Sequence, residues 1–413
     1  MKKITFAILG LGNRGGVYAR TLQLFSEQAE VVAVAESRRA SVEAANSYLK
    51  LPPDRLFSTA EELLQQPKLA DVMIVATQDA QHRDHALQAL NRGYDLLLEK
   101  PIATDPEAVR QIEETAHRLG RKVVVAHVLR YSPFYKKVKQ LLEEGAVGRI
   151  LNLEAAEHVD CRHMAHSYVR GSWRRKADSC PIILAKCSHD MDLILWLTGK
   201  KCLSVSSIGS LDYFTKENMP EGAPYRCAEG CPAEDCPFHA QRYYLSRIPG
   251  WPTNHMHPVT TEENISRILD TTSYGVCVFQ LDNDVPDHQL VQLQLADQVT
   301  VSFSLNAMHT RGTRTIRIGG TAGELWGDMA EKKIYVQKHG GEVECIEITT
   351  DNSGHGGGDA GLVRDMMTYF RGEEISAAVT TIGRSSESHY VAFAAEASRM
   401  LGGEKINMDT FIK

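Results

Sequence analysis

Residues 4–15 read Ile-Thr-Phe-Ala-Ile-Leu-Gly-Leu-Gly-Asn-Arg-Gly, so a short apolar run passes directly into a glycine-rich turn. The apolar run is typical of a buried strand. Gly10, Gly12 and Gly15 follow it in the spacing G-x-G-x-x-G. The amphipathic stretch 17–24 then predicts a helix that opens at the turn. A strand, a glycine turn and a helix in this order predict the first unit of a doubly wound parallel sheet.

Each glycine of this turn has a separate use in binding a dinucleotide. Gly10 permits the tight turn, Gly12 lets backbone amides approach a diphosphate, and Gly15 lets the helix pack closely. The helix N-terminus stabilises the phosphate charge. A glycine turn without a ligand is the alternative, but the flanking strand and helix favour a Rossmann domain. Its predicted cofactor contacts here are Gly10, Gly12, Asn13, Arg14 and Gly15.

Glu36 ends the second predicted strand, at the usual distance of about 20 residues beyond the glycine turn. A carboxylate there can accept hydrogen bonds from the ribose hydroxyls and repel a 2′-phosphate, which favours NAD over NADP. Arg38 and Arg39 follow directly. They can instead bind a phosphate or simply form a solvated face.

The composition is that of an ordinary globular protein. The chain has 413 residues, 24% of them charged, and a formal net charge of −6 at pH 7. This length exceeds what one compact core usually fills, which predicts two domains. Because both signs of charge are interspersed, we expect a small-molecule partner and neither nucleic acid nor a membrane.

The N-terminal sequence and the cysteines indicate the cellular compartment. The first residues lead straight into the apolar run without the longer apolar stretch of a signal peptide. No apolar run reaches membrane-spanning length. Nine cysteines, an odd number in a long chain, are typical of reduced thiols rather than a secreted disulfide framework. We therefore expect a cytoplasmic protein.

The polarity pattern changes along the chain. Short apolar runs alternate with helical stretches in the first part, with predicted strands at residues 4–9, 31–35, 72–76, 96–98 and 122–126. Longer alternating stretches follow at residues 150–155, 202–207, 276–281, 289–295, 299–307 and 313–319. They predict a large, mostly antiparallel open sheet with one buried face. We therefore expect a Rossmann domain at 1–126 and an α+β domain at 127–413.

Residues 218–261 are rich in Pro, Cys, His and Gly and lack a clean period, which predicts an insertion over one edge of the second sheet. Within it, Cys227, Cys231, Cys236 and His239 have the spacing C-x3-C-x4-C-x2-H. Four such ligands could meet around a structural zinc ion. The spacing differs from the common C-x2-C knuckles, so reduced cysteines in a tightly turned loop are the alternative.

Four further motifs carry a specific resemblance. They are Ala76-Thr77-Gln78 with His82, Gly93 leading to Glu99-Lys100-Pro101, the segment 145–150, and His189-Asp190-Met191-Asp192. Together with the glycine turn, they resemble the glucose-fructose oxidoreductase, inositol dehydrogenase and rhizopine-catabolism (Gfo/Idh/MocA) family of sugar oxidoreductases. The Glu-Lys-Pro tripeptide is the hallmark of that family, and the resemblance extends well into the second domain.

The resemblance implies roles for residues at the carboxyl edge of the first sheet. Lys100 is expected beside the nicotinamide, where it polarises the reacting oxygen. Glu99, Thr77 and His82 are expected to position the cofactor or the lysine. Without the resemblance, two interpretations of a lysine after an apolar run are equally good. It either lies at a strand end in a cleft or extends its ammonium group to solvent.

Lys186, His189 and Asp192 lie at three-residue spacing in residues 186–197, which are predicted to form a helix that presents them to one pocket. An imidazole titrates near neutral pH, so His189 is the predicted general acid/base, with a structural histidine as the alternative. Related dehydrogenases often carry an aspartate at the position of Ala185. Lys186 is therefore a candidate for substrate binding or proton transfer, and Asp192 for orienting His189.

Residues 157–175 combine hydrogen-bond donors with aromatic rings, which suits the hydroxyls and the face of a sugar. A subunit contact is the competing explanation. The glycine-rich segment around residue 355 is a weaker candidate, since such loops are often only turns. The predicted substrate residues, besides Lys186 and Asp192, are Arg130, Tyr131, His163, Tyr168, Arg170, Trp173, Arg174 and His355.

The sequence predicts an NAD-dependent oxidoreductase that oxidises a ring hydroxyl of a sugar or glycoside, and a glycoside 3-dehydrogenase is favoured. The alternative is a redox-neutral glycosidase or lyase that oxidises its substrate transiently and eliminates the aglycone. A cofactor-dependent sensor without turnover is the third class. The resemblance also implies a homo-oligomer, a dimer or tetramer, built through the open sheet of the second domain.

Overall fold

The first sheet has six parallel strands in the order β3-β2-β1-β4-β5-β6. A computed structural model describes residues 2–349 and 354–412, although not the side chains of residues 354–356. The strands are β1 (Ile4–Leu9), β2 (Ala29–Ala35), β3 (Leu56–Phe57), β4 (Val72–Val75), β5 (Asp95–Leu98) and β6 (Val123–Val125). The central strands are apolar on both faces because helices cover both. The predicted parallel doubly wound sheet is confirmed.

Helices alternate with these strands and pack on both faces. They are α1 (Asn13–Gln23), α2 (Arg39–Leu49), α3 (Ala60–Gln65), α4 (His82–Asn91) and α5 (Pro106–Arg118). Successive side chains of a strand point to opposite faces. Accordingly, Phe6 and Ile8 of β1 pack with α1, whereas Ala7 and Leu9 pack with α3, α4 and α5. This arrangement fixes the glycine turn at the carboxyl edge of the sheet.

The second sheet has nine strands in the order β14-β13-β12-β11-β7-β10-β9-β8-β15. They are β7 (Ile150–Asp160), β8 (Cys202–Ser210), β9 (His288–Leu295), β10 (Thr300–His309), β11 (Thr313–Gly320), β12 (Gly323–Asp328), β13 (Lys333–Lys338), β14 (Val343–Glu347) and β15 (Ile406–Asn407). Among the described pairs only β7 and β10 run parallel. The predicted, mostly antiparallel sheet is confirmed.

One face of this sheet is buried against helices. Side chains of β9 alternate strictly between exposed and buried, and the buried ones pack with α9 and α14. The helices of this part are α6 (Pro133–Glu143), α7 (Cys161–Met164), α8 (Ile182–Ala185), α9 (Ser188–Thr198), α10 (Ala240–Leu245), α11 (Thr253–Met256), α12 (Glu262–Thr271), α13 (Gly354–Arg371), α14 (Ile382–Met400) and α15 (Met408–Phe411). None of the described helices is long and apolar enough to span a membrane.

The opposite face of the second sheet is open. Its large apolar side chains Leu203, Ile208 and Leu290 are all exposed. On the same sheet, Trp326 and Tyr335 stack with ring centroids 5.4 Å apart. An uncovered face of this kind is consistent with an interface between subunits, and the oligomer stays a prediction.

Two details of the sequence interpretation were wrong. Residues 276–281 do not form a strand, because Val276 makes only an isolated bridge to Arg226. The glycine-rich segment from Gly354 is not a loop but the first turn of α13. That helix packs its Leu362 and Met366 on the first sheet, beside Phe6. Part of the chain beyond residue 126 therefore covers the Rossmann sheet, and the domain boundary stays a prediction.

Candidate active site

A cleft of about 1090 Å³ lies between the carboxyl edge of the first sheet and the second domain. Pockets for one small ligand run from about 300 to 1,000 Å³, so this cleft exceeds that range. Residues from both domains line it. The predicted site residues found there are Gly10, Gly12, Asn13, Arg14, Glu36, Arg38, Thr77, His82, Glu99, Lys100, His163, Tyr168, Trp173, Lys186 and His189.

The glycine turn leaves no room for a side chain at Gly10 or Gly15. Gly10 has a φ of +86°, and a Cβ added to it would lie 2.5 Å from the carbonyl oxygen of Ala76. A Cβ on Gly15 would lie 1.8 Å from the carbonyl oxygen of Gly10. Gly12, the residue before α1, would meet only the Arg38 guanidinium. These three positions have the roles that a diphosphate-binding turn requires.

Glu36 lines the cleft beside this turn. Its carboxylate accepts hydrogen bonds from the backbone NH of Leu11 at 2.8 Å and from the backbone NH and Nε of Arg38 at 2.9 and 3.0 Å. Burial acts to raise the pKa of Glu36, but the Arg38 and Leu11 contacts outweigh it and lower the pKa. The carboxylate is thus anionic at neutral pH. Arg39 instead forms an exposed pair with Glu43.

A buried ion cluster joins the glycine turn to the Glu-Lys-Pro motif. Arg14 donates to Glu99 at 2.6 Å and to Asp359 of α13 at 2.7 Å. The Tyr18 hydroxyl of α1 also donates to Glu99, at 2.5 Å. Burial acts to raise the pKa of Glu99, but Arg14 and Lys100 lower it overall. Glu99 therefore stays ionised and fixes α1 against the strand end that carries Lys100.

The Lys100 ammonium reaches across the cleft to the second domain. Its Nζ donates to the carbonyl oxygen of Ala185 at 2.6 Å. Burial lowers the pKa of Lys100, and the charges of Glu99 and Asp79 partly oppose that effect. An ammonium group has three donors, so two remain for a ligand. The Ala185 carbonyl thus fixes the Lys100 ammonium against the second domain.

The loop after β4 is tied to both sides of the cleft. His82 contacts the carbonyl oxygens of Pro101 at 2.7 Å and Thr77 at 3.2 Å, so it fixes two loops against each other. The Asp79 carboxylate accepts hydrogen bonds from Trp173 Nε1 and from the Ser179 hydroxyl, both at 2.8 Å. Asp79 was not singled out in the sequence, and it positions a predicted substrate residue.

Lys186 belongs to a buried network of charges. Its Nζ lies 3.4 Å from Glu157 Oε1. Arg314 of β11 pairs with Glu157 and also donates to Asp190 Oδ1 at 2.8 Å. Burial acts to raise the pKa of Glu157, but Arg314 and Lys186 lower it overall. Arg314 and Glu157 were missed in the sequence because their partners are far away along the chain.

His189 lies in the first turn of α9 and lines the cleft together with Lys186. Lys186 itself is not on that helix, since it follows the last residue of α8 and precedes Cys187. The predicted single helix over 186–197 was wrong in this respect. The His189 ring makes an edge contact with His127, with centroids 5.6 Å apart. Both side chains still reach the same cleft, although through a break between two helices.

Asp192, the candidate for orienting His189, is paired with Arg130. Both of its carboxylate oxygens accept hydrogen bonds from Arg130, each at 2.6 Å. The two side chains are almost completely buried. Burial raises the pKa of Asp192, against the opposing effect of Arg130. Among the described residues that line the cleft this pair is absent, which argues against the predicted substrate role of Arg130 and Asp192.

Three more predicted substrate residues also lie outside the described lining of the cleft. Arg170 is buried and donates to the carbonyl oxygens of Val276 and Phe238, both at 2.8 Å. Arg174 pairs with Asp282 at 2.7 Å. Tyr131 is buried in the apolar core under α13. The prediction for His355 falls on a side chain outside the described residues.

The prediction of a zinc site is not confirmed. In the described part of the chain, no group of three or more His, Cys, Asp or Glu side chains is arranged to hold a metal ion. Cys227, Cys231, Cys236 and His239 do line one small cavity, together with Arg170. The Arg170 guanidinium lies 3.7 Å from Cys227 Sγ and so places a positive charge where a metal ion would have to bind.

Comparison with known proteins identifies the family. Residues 4–127 match the oxidoreductase family model with an NAD-binding Rossmann fold, and residues 139–376 match the model of its C-terminal alpha/beta domain. The chain is 23% identical to the Bacillus subtilis oxidoreductase YteT over 74% of each protein. It is 29% identical to the Bacillus subtilis glucose-6-phosphate 3-dehydrogenase, over 43% of this chain and 48% of that protein.

A solved structure extends the likeness to the whole fold. The scyllo-inositol dehydrogenase from Lactobacillus casei, with bound NAD(H) and scyllo-inositol, superposes with a TM-score of 0.67 at 19% identity. The superposition covers 99% of this chain and 100% of that one. The glycine turn, the Glu-Lys-Pro motif and the two family models agree with one another. The chain is therefore an oxidoreductase of the Gfo/Idh/MocA family, with an NAD-binding Rossmann domain followed by the family's C-terminal α/β domain.

Proposed function

We propose that this protein is an NAD-dependent dehydrogenase that oxidises a ring hydroxyl of a sugar or glycoside, and we favour the hydroxyl at carbon 3 of a glycoside. The observation that carries the proposal is the convergence of Lys100, Lys186 and His189 on the cleft that also contains the glycine turn. Relatives named for a sugar phosphate and for an inositol support a polyhydroxylated ring as the substrate.

The proposed chemistry separates a proton from a hydride. His189 accepts the proton of the substrate hydroxyl, since an imidazole can act as a base near neutral pH. The Lys100 ammonium stabilises the negative charge that develops on that oxygen. NAD, when bound, supplies the acceptor for the hydride that leaves the same carbon. The products are a ketone, NADH and a proton on His189.

The contacts of Lys100 support this role. Its hydrogen bond to the Ala185 carbonyl fixes the ammonium between the two domains. Asp79 and Glu99 act electrostatically on Lys100 from the cofactor side and favour its charged form. A charged, oriented donor in a water-poor site stabilises an oxyanion more strongly than it would in water.

The proposal is tested with purified protein, NAD and a panel of sugars and glycosides. We expect NADH and a keto-sugar in equal amounts from the best substrate. The 3-deoxy analogue of that substrate is expected to yield no NADH, whereas the 4-deoxy analogue still does. NADH from the 3-deoxy analogue would place the oxidation at another carbon, and no NADH from any member of a broad panel would contradict dehydrogenase activity.

A second candidate function is redox-neutral cleavage of a glycoside. Oxidation at one carbon acidifies the neighbouring C–H, a second base removes that proton, the aglycone leaves, and the hydride returns. His163, Tyr168 and Lys186 line the cleft and are the candidates for this second base. Aglycone release without net NADH from 4-nitrophenyl glycosides would favour this function over net oxidation.

We predict that Glu36→Ala shifts the cofactor preference from NAD toward NADP. The variant removes the carboxylate that repels a 2′-phosphate and releases Arg38, which pairs with Glu36 at 3.0 Å, to bind that phosphate. A charge-assisted hydrogen bond contributes about 1.5–3 kcal/mol. The ratio of kcat/KM for NAD to kcat/KM for NADP is thus expected to fall roughly tenfold to a hundredfold.

The neighbouring ion pair between Arg39 and Glu43 provides a matched control. Glu43→Ala removes an acidic partner of the same kind from Arg39, but both side chains are exposed and neither lines the cleft in the described residues. The control is expected to leave the cofactor ratio within about twofold, as for a surface pair of small energy. An equal change in both variants would mean that general surface charge, rather than the ribose site, sets the preference.

A further inference from the structure

The insertion contributes directly to the cleft. Trp251, His255 and Tyr274 come from the segment between β8 and β9 and line the same cleft as Lys100 and His189. With side chains of the segment after β7, they form an aromatic belt. In spatial order, the belt consists of Trp173, Tyr168, His163, Trp251, His166 and Tyr274.

The belt is continuous. Ring centroids are 6.1 Å apart between Trp173 and Tyr168 and 6.4 Å apart between Tyr168 and His163. Trp251 follows, 5.0 Å from His163 and 5.7 Å from His166. His166 then stacks on Tyr274 at 5.0 Å with an interplanar angle of 20°. The rings therefore form one wall of the cleft rather than scattered contacts.

The two ends of the belt lie in different surroundings. At the inner end, Trp173 donates to Asp79, and the Asp79 charge acts on Lys100. His163 is close enough to Lys186 to feel its charge. At the other end, Tyr274 stacks on His166, next to Trp251 of the insertion, which is 38% exposed. The belt thus begins at the proposed chemistry and reaches an exposed ring of the insertion at Trp251.

The chemical character of the belt fits an uncharged ring with hydroxyl groups. Burial lowers the pKa of His163 well below its usual value and that of His166 to about 3, so both imidazoles are neutral at physiological pH. Aromatic faces offer an apolar surface, and imidazole and phenol groups can exchange hydrogen bonds at its rim. The C–H face and the hydroxyl edge of a pyranose have the matching chemistry.

We propose that Trp251, His166 and Tyr274 form a second sugar subsite, which binds the outer pyranose ring of a disaccharide while the ring to be oxidised lies at Lys100 and His189. This inference rests on the proposed sugar oxidation. The insertion then contributes to substrate specificity. The substrate it favours is longer than a single sugar ring.

The test compares a free sugar with longer ligands that contain the same ring. Glucose, cellobiose and 4-nitrophenyl β-glucoside form one such set, and the galactose and α-linked counterparts form others. We expect Trp251→Ala to lower kcat/KM for the disaccharide of the active set at least roughly tenfold, by loss of stacked apolar area, while kcat/KM for the free sugar stays within about twofold. Binding to the enzyme with NAD is measured in parallel by calorimetry.

Tyr225→Ala is the matched control, because Tyr225 is an exposed aromatic residue of the same insertion that does not line the described cleft. This variant should leave kcat/KM unchanged for both the free sugar and the disaccharide. Tyr274→Phe provides a milder second variant, expected to weaken disaccharide binding alone through loss of its hydroxyl. If Trp251→Ala lowers kcat/KM equally for the free sugar and the disaccharide, or lowers neither, the proposed subsite is wrong.

The two proposals fail in different ways. If no ligand yields NADH, but Trp251→Ala still weakens calorimetric binding of the disaccharide and not of the free sugar, the subsite stands and the proposed oxidation falls. If NADH forms and free sugar and disaccharide respond alike to Trp251→Ala, the oxidation stands and the subsite falls. A selective loss with 4-nitrophenyl glycosides but not with disaccharides would assign the belt to aromatic aglycones and overturn the second sugar ring.

Discussion

Lys100→Ala is expected to lower kcat by roughly a hundredfold to ten-thousandfold while NAD still binds. In the proposed mechanism the ammonium stabilises the developing oxyanion, and its position is fixed by the hydrogen bond to Ala185. The glycine turn and Glu36, by contrast, do not depend on this side chain for their geometry. Initial rates under saturating sugar and NAD, together with the NAD dissociation constant, measure the two effects separately.

Two further variants serve as controls for Lys100→Ala. Lys338→Ala removes an exposed lysine from the end of β13 and should leave kcat unchanged. Lys100→Arg keeps the charge but moves the donors, so it should recover only part of the rate. Unchanged kcat in Lys100→Ala would remove this residue from the mechanism. Loss of NAD binding would instead make Lys100 a structural residue of the cofactor site.

Local features of the sequence predicted the fold around the glycine turn well. The glycine spacing allows only one kind of turn, because any side chain at Gly10 or Gly15 would collide with backbone atoms. Alternating polarity likewise predicted β9 and β10 within one or two residues of their bounds. These features depend on neighbouring residues, so a single sequence contains most of the information.

The substrate side was harder to predict because its contacts join distant parts of the chain. Arg130 looked like a donor for sugar hydroxyls, but its partner Asp192 lies 62 residues further along. Glu157 and Arg314 are 157 residues apart in sequence and yet share a buried ion pair. Nothing local distinguishes an arginine that faces a ligand from one that is already paired inside the protein.

The insertion illustrates the same limit. The spacing of its cysteines suggested a metal site, whereas Trp251 of the insertion and Tyr274 beyond it have no periodic pattern that would assign them to a cleft. Likewise, Lys186 seemed to share a helix with His189, but the chain breaks at Cys187 between α8 and α9. Only the folded arrangement of several segments brings these side chains together.

Arg130→Met is expected to lower the free energy of unfolding by about 3–5 kcal/mol, because it leaves the Asp192 carboxylate buried without its bidentate partner. The double variant Arg130→Met/Asp192→Leu removes both charges and should recover much of that loss. Arg39→Met removes an exposed arginine of a surface pair and should cost less than about 1 kcal/mol. Urea unfolding of the three variants measures the differences.

The pH dependence of the single variant provides an independent check of the same pair. Burial already raises the pKa of Asp192, and removal of Arg130 takes away the main opposing effect, so the pKa in the folded state rises further. A group whose folded-state pKa lies above its unfolded-state pKa destabilises the protein at higher pH, and this penalty shrinks as the carboxyl is protonated. The deficit of Arg130→Met relative to the unsubstituted protein should therefore be smaller at pH 5 than at pH 8. A deficit that is independent of pH, or a double variant no more stable than the single one, would show that lost packing of the arginine rather than an unpaired charge causes the instability.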